Sequence, residues 1–172
     1  MGAWDELDTL ISVDVDTTDL DDLSNLDDPY GIIKDCVVEE AEKIKKAIDE
    51  GSQKGVKFLA NFNRSQQQRI LQGCKRPEGR LSSSINDEMV TPYSFLIGTS
   101  ITEIYPLSIE FGRGPVYPKP PRTRLRFYGE DGYLIYPKMA GPAQARPYVA
   151  PAYEDTSEIA EDIMLIEIFK LV

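Results

Sequence analysis

The apolar positions in the first third of the chain repeat at helical spacing. Five apolar residues between positions 30 and 50 fall close to one helical face: Ile33, Val37, Ala41, Ile44 and Ile48. The pattern predicts an amphipathic helix over 30–50 that ends or kinks at Gly51. A second helical stretch is predicted over Val56–Leu71, either separate or continuous with the first through Gly55.

After Gly79 the pattern changes to short elements. Residues 79–85 are typical of a short helix after a turn, and residues 92–98 of a short strand. Residues 105–112 predict one or two helical turns that end at Gly112, since glycine tolerates a positive φ. The proline-rich segment 115–121 predicts a stiff, extended loop.

The last third predicts a hairpin followed by a helix. Residues 125–128 and 133–136 flank the turn 129–132, whose composition favours a β-hairpin. Residues 137–147 are expected to form a loop and 151–161 a helix. Residues 163–171 are apolar and β-branched, which slightly favours a strand over a helix.

Charge divides the chain into two parts. Residues 1–28 contain ten of the 29 acidic residues and none of the 19 basic ones, so the remaining residues hold nineteen of each. This predicts an acidic extended arm over 1–28, dispensable for folding and needed for assembly. Residues 29–172 are then a single α+β domain with a hairpin and loop insertion at 113–147.

Composition narrows the chemistry. The chain has no histidine, which removes the commonest general base and transition-metal ligand. Cys36 and Cys74 lack CxxC spacing, so two free thiols in a reducing compartment are expected, although one disulfide is an alternative. No apolar run is long enough to cross a membrane, and no signal peptide is visible.

No catalytic, cofactor or metal site is expected. The segment from Asp14 begins like a calcium loop, but Asp19 stands at the sixth position and Asn25 at the twelfth, where glycine and glutamate are required. An enzyme would have to depend on a carboxylate pair such as Glu110 and Glu154, whose spacing does not favour catalysis over a structural role.

Four motifs between residues 79 and 155 occur in a fixed order. They are Gly79–Ile85 (GRLSSSI), Leu96–Thr99 (LIGT), Tyr105–Gly112 (YPLSIEFG) and Arg146–Glu154 (RPYVAPAYE). Together they resemble the lambdoid gene-ten-like neck and tail-completion proteins of long-tailed phages. The acidic arm and the length of the apolar tail after Ile163 depart from the pattern of that family.

The resemblance implies a structural virion protein, assembled in the host cytoplasm, at the head–tail neck or the top of the tail. Such proteins form closed rings, usually six-fold and sometimes twelve-fold, as tail-completion, head–tail connector or tail-terminator subunits. Their neighbours would be head-closure or connector proteins and tail-tube or terminator proteins. The implied fold is a long N-terminal helix, or two, packed on a small antiparallel sheet with a protruding β-hairpin.

Several residues of the motifs suit subunit assembly. Glu110 is expected to accept backbone or arginine hydrogen bonds, with Arg146 as the preferred partner. Phe111 and Tyr148 are expected to pack in the core or at an interface.

Residues 113–138 form the basic region of the chain. The interface residues predicted there are Arg113, Arg122, Arg124, Arg126, Tyr128 and Tyr133. Three interpretations remain open: non-specific contact with channel DNA, docking to an acidic surface such as the arm of a neighbour, or a solvated strand edge. A nucleic-acid-binding module that uses residues 122–138 is the alternative function.

Overall fold

Two long helices and a small antiparallel sheet form the described part of the chain. The computed structural model describes residues 9–18, 20, 32–73, 79–101, 105–128 and 133–172, and the side chains of 32–35 and 127–128 are not included. The helices are α1 (Ile32–Gln72), α2 (Gly79–Ser84), α3 (Tyr105–Glu110) and α4 (Val149–Phe169). The strands are β1 (Thr9–Ser12), β2 (Ile85–Thr91), β3 (Ser94–Thr99), β4 (Phe127–Tyr128) and β5 (Leu134–Ile135). The predicted α+β class, with a long N-terminal helix on a small antiparallel sheet, is confirmed.

Helix α1 is continuous over 41 residues. The prediction that a helix ends at Gly51 is wrong, a kink there stays a prediction, and the alternative of continuation through Gly55 is confirmed. The physical reason is the close approach of α4. A Cβ atom at position 51 would lie 2.6 Å from the Cα atom of Ile168, and one at position 55 would lie 2.4 Å from the sulfur of Met164. These glycines therefore serve helix packing rather than termination.

Helix α4 extends through the segment for which a strand was favoured. The predicted helix over 151–161 is confirmed, but the strand preference for 163–171 is wrong because the helix continues to Phe169. Ile163, Met164 and Ile168 are half-buried, and the last two face the glycines of α1. Packing against α1 thus overrides the β propensity of these branched residues.

A buried polar cluster fixes the register between α1 and α4. The Asn63 side-chain amide donates to the Ala152 carbonyl and to the Thr156 hydroxyl, each at 3.0 Å. Gln67 donates in turn to the Asn63 side-chain oxygen at 2.8 Å. Asn63, Gln67 and Thr156 are all buried, so sliding one helix by a turn would leave their polar atoms without partners.

The three-stranded sheet has the order β1-β3-β2, with both pairs antiparallel. Strand β3 begins two residues later than predicted, and β2 was not predicted. Leu81, Ile85 and Ile97 from this side of the molecule join Val56 and Leu71 of α1 in one apolar core.

Strand β1 corrects the prediction of a separate arm. Residues 9–12 belong to the acidic segment but pair with β3 in register, from Thr9 opposite Ile97 to Ser12 opposite Ser94. Thr9 is buried and Ile11 packs against the core, whereas Leu10 is 57% exposed. The alternation of a half-buried strand is present here. Residues 1–8 and the predicted boundary at 28/29 lie outside the described residues.

Two side-chain contacts attach the sheet to α1. Arg64 pairs with Asp87 of β2, and the Tyr93 hydroxyl, in the turn between β2 and β3, donates to Asp49. The hydrogen bond to the Asp49 carboxylate holds the pKa of Tyr93 above its ordinary value. Both contacts orient the hairpin across the helix.

Replacing Ile11 with alanine tests whether β1 is part of the domain. We expect Ile11→Ala to lower the free energy of unfolding by about 1–2 kcal/mol, because a partly buried aliphatic side chain leaves the core. The neighbouring Leu10→Ala should change it by less than about 0.5 kcal/mol. Chemical denaturation measures both, and equal effects would contradict the observed strand register.

The two glycines of α1 should respond differently to alanine. We expect Gly51→Ala to destabilise the protein by about 1–3 kcal/mol, because the new methyl group meets the backbone of α4. Gly55→Ala meets only the flexible end of Met164 and gains helix propensity of about 1 kcal/mol, so it should be nearly neutral. Thermal or urea denaturation of the pair separates them. A Gly51→Ala variant as stable as Gly55→Ala would mean that α4 lies farther from α1.

Candidate assembly interface

A two-stranded ribbon over residues 113–143 extends from the helices. Its two sides are joined by bridges between Arg113 and Ala143 and between Val116 and Ala140, and then by the β4–β5 pair. From residue 111 to residue 147, no described residue is buried. The predicted hairpin is confirmed for these strands, while its turn 129–132 lies outside the described residues. The ribbon makes no contribution to the core from the residues described.

Glu110 anchors the base of the ribbon. Its carboxylate accepts the backbone N–H groups of Tyr148, Val149 and Ala150 at 2.7, 3.1 and 3.4 Å. The next residue, Pro151, has no N–H to satisfy. Glu110 therefore satisfies every free donor at the start of α4, and its negative charge lies at the positive end of the helix dipole.

The expectation that Glu110 accepts backbone hydrogen bonds is confirmed. Its pairing with Arg146 stays a prediction. The contact that defines the position of Arg146 is made by its backbone, whose N–H donates to the Ile109 carbonyl at 2.7 Å. This bond closes the ribbon beside the Glu110 carboxylate.

Gly112 lets the chain turn out of α3 into the ribbon. Its φ is +74°, as the sequence predicts for the end of this helical turn. A Cβ atom here would lie 2.8 Å from the Ala143 carbonyl oxygen and from the Ala145 nitrogen. Both the conformation and the passing strand thus require glycine.

The four sequence motifs meet in space. The first two join through Ser84 and Thr99, whose hydroxyls lie 2.6 Å apart, and the third and fourth join through Glu110. Leu81, Ile109 and Tyr148, from three of the motifs, share one core cluster. The motifs therefore form the framework on which the ribbon is carried.

A basic cleft of about 890 Å³ lies between the ribbon and α3. It forms where residues 117–124 leave the pairing of the ribbon. Its charged lining is entirely basic: Arg113, Lys119, Arg122, Arg124 and Arg126. Proline, tyrosine and aliphatic side chains form the rest of the wall, including Tyr105, Val116, Tyr117, Pro118 and Leu125. The structure thus brings four of the predicted interface arginines together at one cleft.

The remaining predicted site residues are distributed around the ribbon. Phe111 is 61% exposed and Tyr133 73% exposed, so core packing of Phe111 is wrong and its role at an interface stays a prediction. Tyr148 is 1% exposed and belongs to the core. Of the two roles expected for it, core packing is therefore confirmed. The side chain of Tyr128 lies outside the description.

Two features of the candidate site were not among the predictions from the sequence. Lys119 was not among the predicted site residues, although it lines the cleft with the arginines. The role of Glu110 as a distant helix cap was missed too. The sequence does contain a signal for this role. Tyr148, which precedes α4, is not one of the residue types that cap helices, and its side chain makes no capping bond. The start of α4 therefore needs an acceptor from elsewhere in the chain.

The start of the suspected calcium loop has a local explanation. Asp16 accepts hydrogen bonds from the Thr18 hydroxyl at 2.6 Å and the Thr18 N–H at 2.9 Å, which lowers the pKa of its carboxyl group. In the part of the chain that the structure describes, no group of three metal-ligating side chains occurs. Within the same residues, no helix has the length and apolar character needed to cross a membrane.

Comparison with protein-family models, curated proteins and solved structures found no match to this chain. Function is therefore inferred from the residues and their geometry.

Removing the Glu110 carboxylate should loosen both α4 and the ribbon. We expect Glu110→Ala to lower the free energy of unfolding by about 1–3 kcal/mol, because three backbone donors lose a charged acceptor. Glu110→Gln keeps one acceptor oxygen and should have an intermediate effect. Glu158→Ala, on the exposed face of the same helix, serves as the control. A Glu110→Ala effect no larger than that of the control in urea denaturation would contradict the capping role.

Proposed function

We propose that this chain is a structural virion protein of a tailed bacteriophage that forms a ring at the head–tail neck or the top of the tail. Its role there would be tail completion or head–tail joining, and not catalysis. The observation that carries the proposal is the ribbon 113–143, which is anchored firmly at Glu110 yet has no buried residue among those described. A well-anchored segment without buried residues is expected to contact other subunits or proteins rather than to stabilise its own subunit.

The exposed side chains of the ribbon support an assembly role. Large apolar residues remain exposed along it: Val116, Tyr117, Tyr133, Ile135, Tyr136 and Met139. Aromatic residues, methionine and arginine are enriched in protein interfaces, and all three occur here. A clustered apolar surface of this kind favours a protein partner.

The form of the ribbon favours a head-to-tail arrangement. A projection that meets a different surface on the next copy makes a heterologous contact, and such contacts close into rings when the rotation between copies permits. The resemblance of the four motifs adds the expected six-fold or twelve-fold symmetry. Head-closure or connector proteins and tail-tube or terminator proteins are the proposed neighbours of the ring.

Measuring the mass of the purified protein tests the ring directly. We expect a mass six or twelve times the 19.3 kDa of one chain, and ring-shaped particles with that symmetry in electron microscopy. A protein that stays monomeric at every concentration, and that never joins a tail or connector, would contradict the proposal.

Substituting exposed aromatics tests the part played by the ribbon. We expect Tyr117→Ala with Tyr136→Ala to raise the concentration needed for half-assembly about tenfold or more, since interface aromatics dominate binding energy. The thermal melt should stay unchanged because neither side chain is buried. Met89→Ala with Val90→Ala, which are as exposed on β2, should leave assembly unchanged. Equal effects of the two pairs would remove the ribbon from the interface.

The basic cleft favours a second candidate function, a nucleic-acid-binding module that uses residues 122–138. Five cations and two tyrosines could contact phosphates and bases. Retardation of DNA should then depend strongly on salt and be lost in the triple variant Arg122→Ala/Arg124→Ala/Arg126→Ala. Unchanged DNA affinity in that variant would exclude this function.

A further inference from the structure

The basic cleft has the chemistry of a site for an acidic, partly apolar peptide. Its five cations are exposed, and among the described residues no carboxylate forms an ion pair with any of them. Between the cations lie apolar surfaces such as Val116, Pro118 and Leu125. A matching ligand alternates carboxylates with aliphatic side chains, since charge and apolar contact must both be complemented.

Two acidic segments without basic residues lie outside the described residues, 1–8 with three acids and 21–28 with four. Residues 21–28 read DDLSNLDD, with four aspartates, two leucines and no basic residue. Two of the preceding acidic residues, Asp14 and Asp16, have described positions in their own subunit. Residues 9–12 form β1, and Asp14 and Thr17 lie beside Lys45 and Tyr93.

Distances along α1 place the cleft far from the end of this segment. At about 1.5 Å per residue, Ile32 and Asn63 are ~46 Å apart on the helix. Asn63 binds the first turn of α4, and Glu110 binds the N–H groups at the start of that turn. Glu110 ends α3, whose Tyr105 and Ser108 form one wall of the cleft. These short steps keep the cleft near the half of α1 that contains Asn63.

The connecting chain is too short to bridge that distance within one subunit. Asp27 and Asp28 precede Ile32 by five and four residues, so even a fully extended chain carries them at most ~18 Å from it. The half of α1 that contains Asn63, near which the cleft lies, is beyond this radius. An aspartate pair from another copy has no such restriction.

We propose that residues 21–28 of one copy dock in the basic cleft of a second copy, with aspartates against the arginines and Lys119, and leucines against the apolar wall. The inference rests on the proposed ring and names one of its subunit contacts. It assigns to the acidic segment a role in joining neighbours, and to the cleft a peptide ligand from this same chain.

Isotope-mixed cross-linking tests the contact. Full-length ¹⁴N and ¹⁵N proteins are combined in equal amounts at high ionic strength, assembled at low ionic strength, and treated with a carbodiimide that joins touching carboxylates and amines. We expect peptides in which Lys119 is joined to Asp27 or Asp28, with about half carrying both isotopes, as random mixing of copies requires. Lys54 and Lys57, exposed on α1, are the control amines and should not join these aspartates. Lys119 cross-links to these aspartates with no mixed-isotope species among them would place the segment on its own subunit and overturn the proposal.

Charge exchange gives an independent test. The cleft variant Arg122→Glu/Arg124→Glu and the segment variant Asp27→Lys/Asp28→Lys should each raise the concentration for half-assembly about tenfold. A chain with all four substitutions should return toward the native value, because the reversed charges again match. Lys54→Glu/Lys57→Glu changes the net charge as the cleft variant does and should have no effect.

The outcomes separate this contact from the ring itself. Rings that form equally well in the native protein and in both charge variants would overturn the docking contact and leave the ring proposal intact. A native protein without rings but with mixed-isotope cross-links would overturn the ring and leave the contact. Loss of DNA retardation in the cleft variant, without any cross-link from Lys119, would assign the cleft to nucleic acid instead.

Discussion

The carboxylate of Glu110 joins the end of α3 to the start of α4 across the base of the ribbon. A helix begins with backbone N–H groups that have no partner within it, and α4 has no local side chain to accept them. Glu110 accepts three of these groups, and Pro151 removes the next. Because Glu110 and Tyr148 are 38 residues apart, this contact also closes the base of the ribbon between them. One side chain thus positions the last helix and the projecting ribbon together.

Helix α4 completes the packed body of the protein, and no described residue of the ribbon belongs to its core. Gly51 and Gly55 let α4 approach α1 closely, and the Asn63 cluster fixes their register. The core contains residues from α1, α2, β2, β3 and α3, together with Ile101 and Tyr148. Under the proposed assembly role, changes in the ribbon would therefore alter association with partners while the folded body stays intact.

Local patterns predicted the elements whose signals are local. The amphipathic face of α1, the positive φ of Gly112 and the hairpin at β4–β5 each follow from a few neighbouring residues. The errors arose where distant contacts decide. Gly51 costs helix stability on its own, and only the passage of α4 explains it. The acids around Thr9–Ser12 obscured a strand whose partner is 88 residues away in sequence at the Thr9–Ile97 pair. The arginines of the cleft were predicted because they are close in sequence, whereas the capping partners of Glu110 were not.

The separation of charge along this chain also constrains how copies can associate. The acidic segment leads into one end of α1, and the basic cleft lies toward the other. Complementary surfaces at opposite ends favour head-to-tail contact, since every added copy presents the same two surfaces again. Growth of this kind stops only when the last copy meets the first. A dimer would need each copy to place its residues 21–28 in the cleft of the other. Only an antiparallel arrangement of the two copies could satisfy both contacts at once. The docking proposed for residues 21–28, directed along α1, therefore favours a closed ring over a pair.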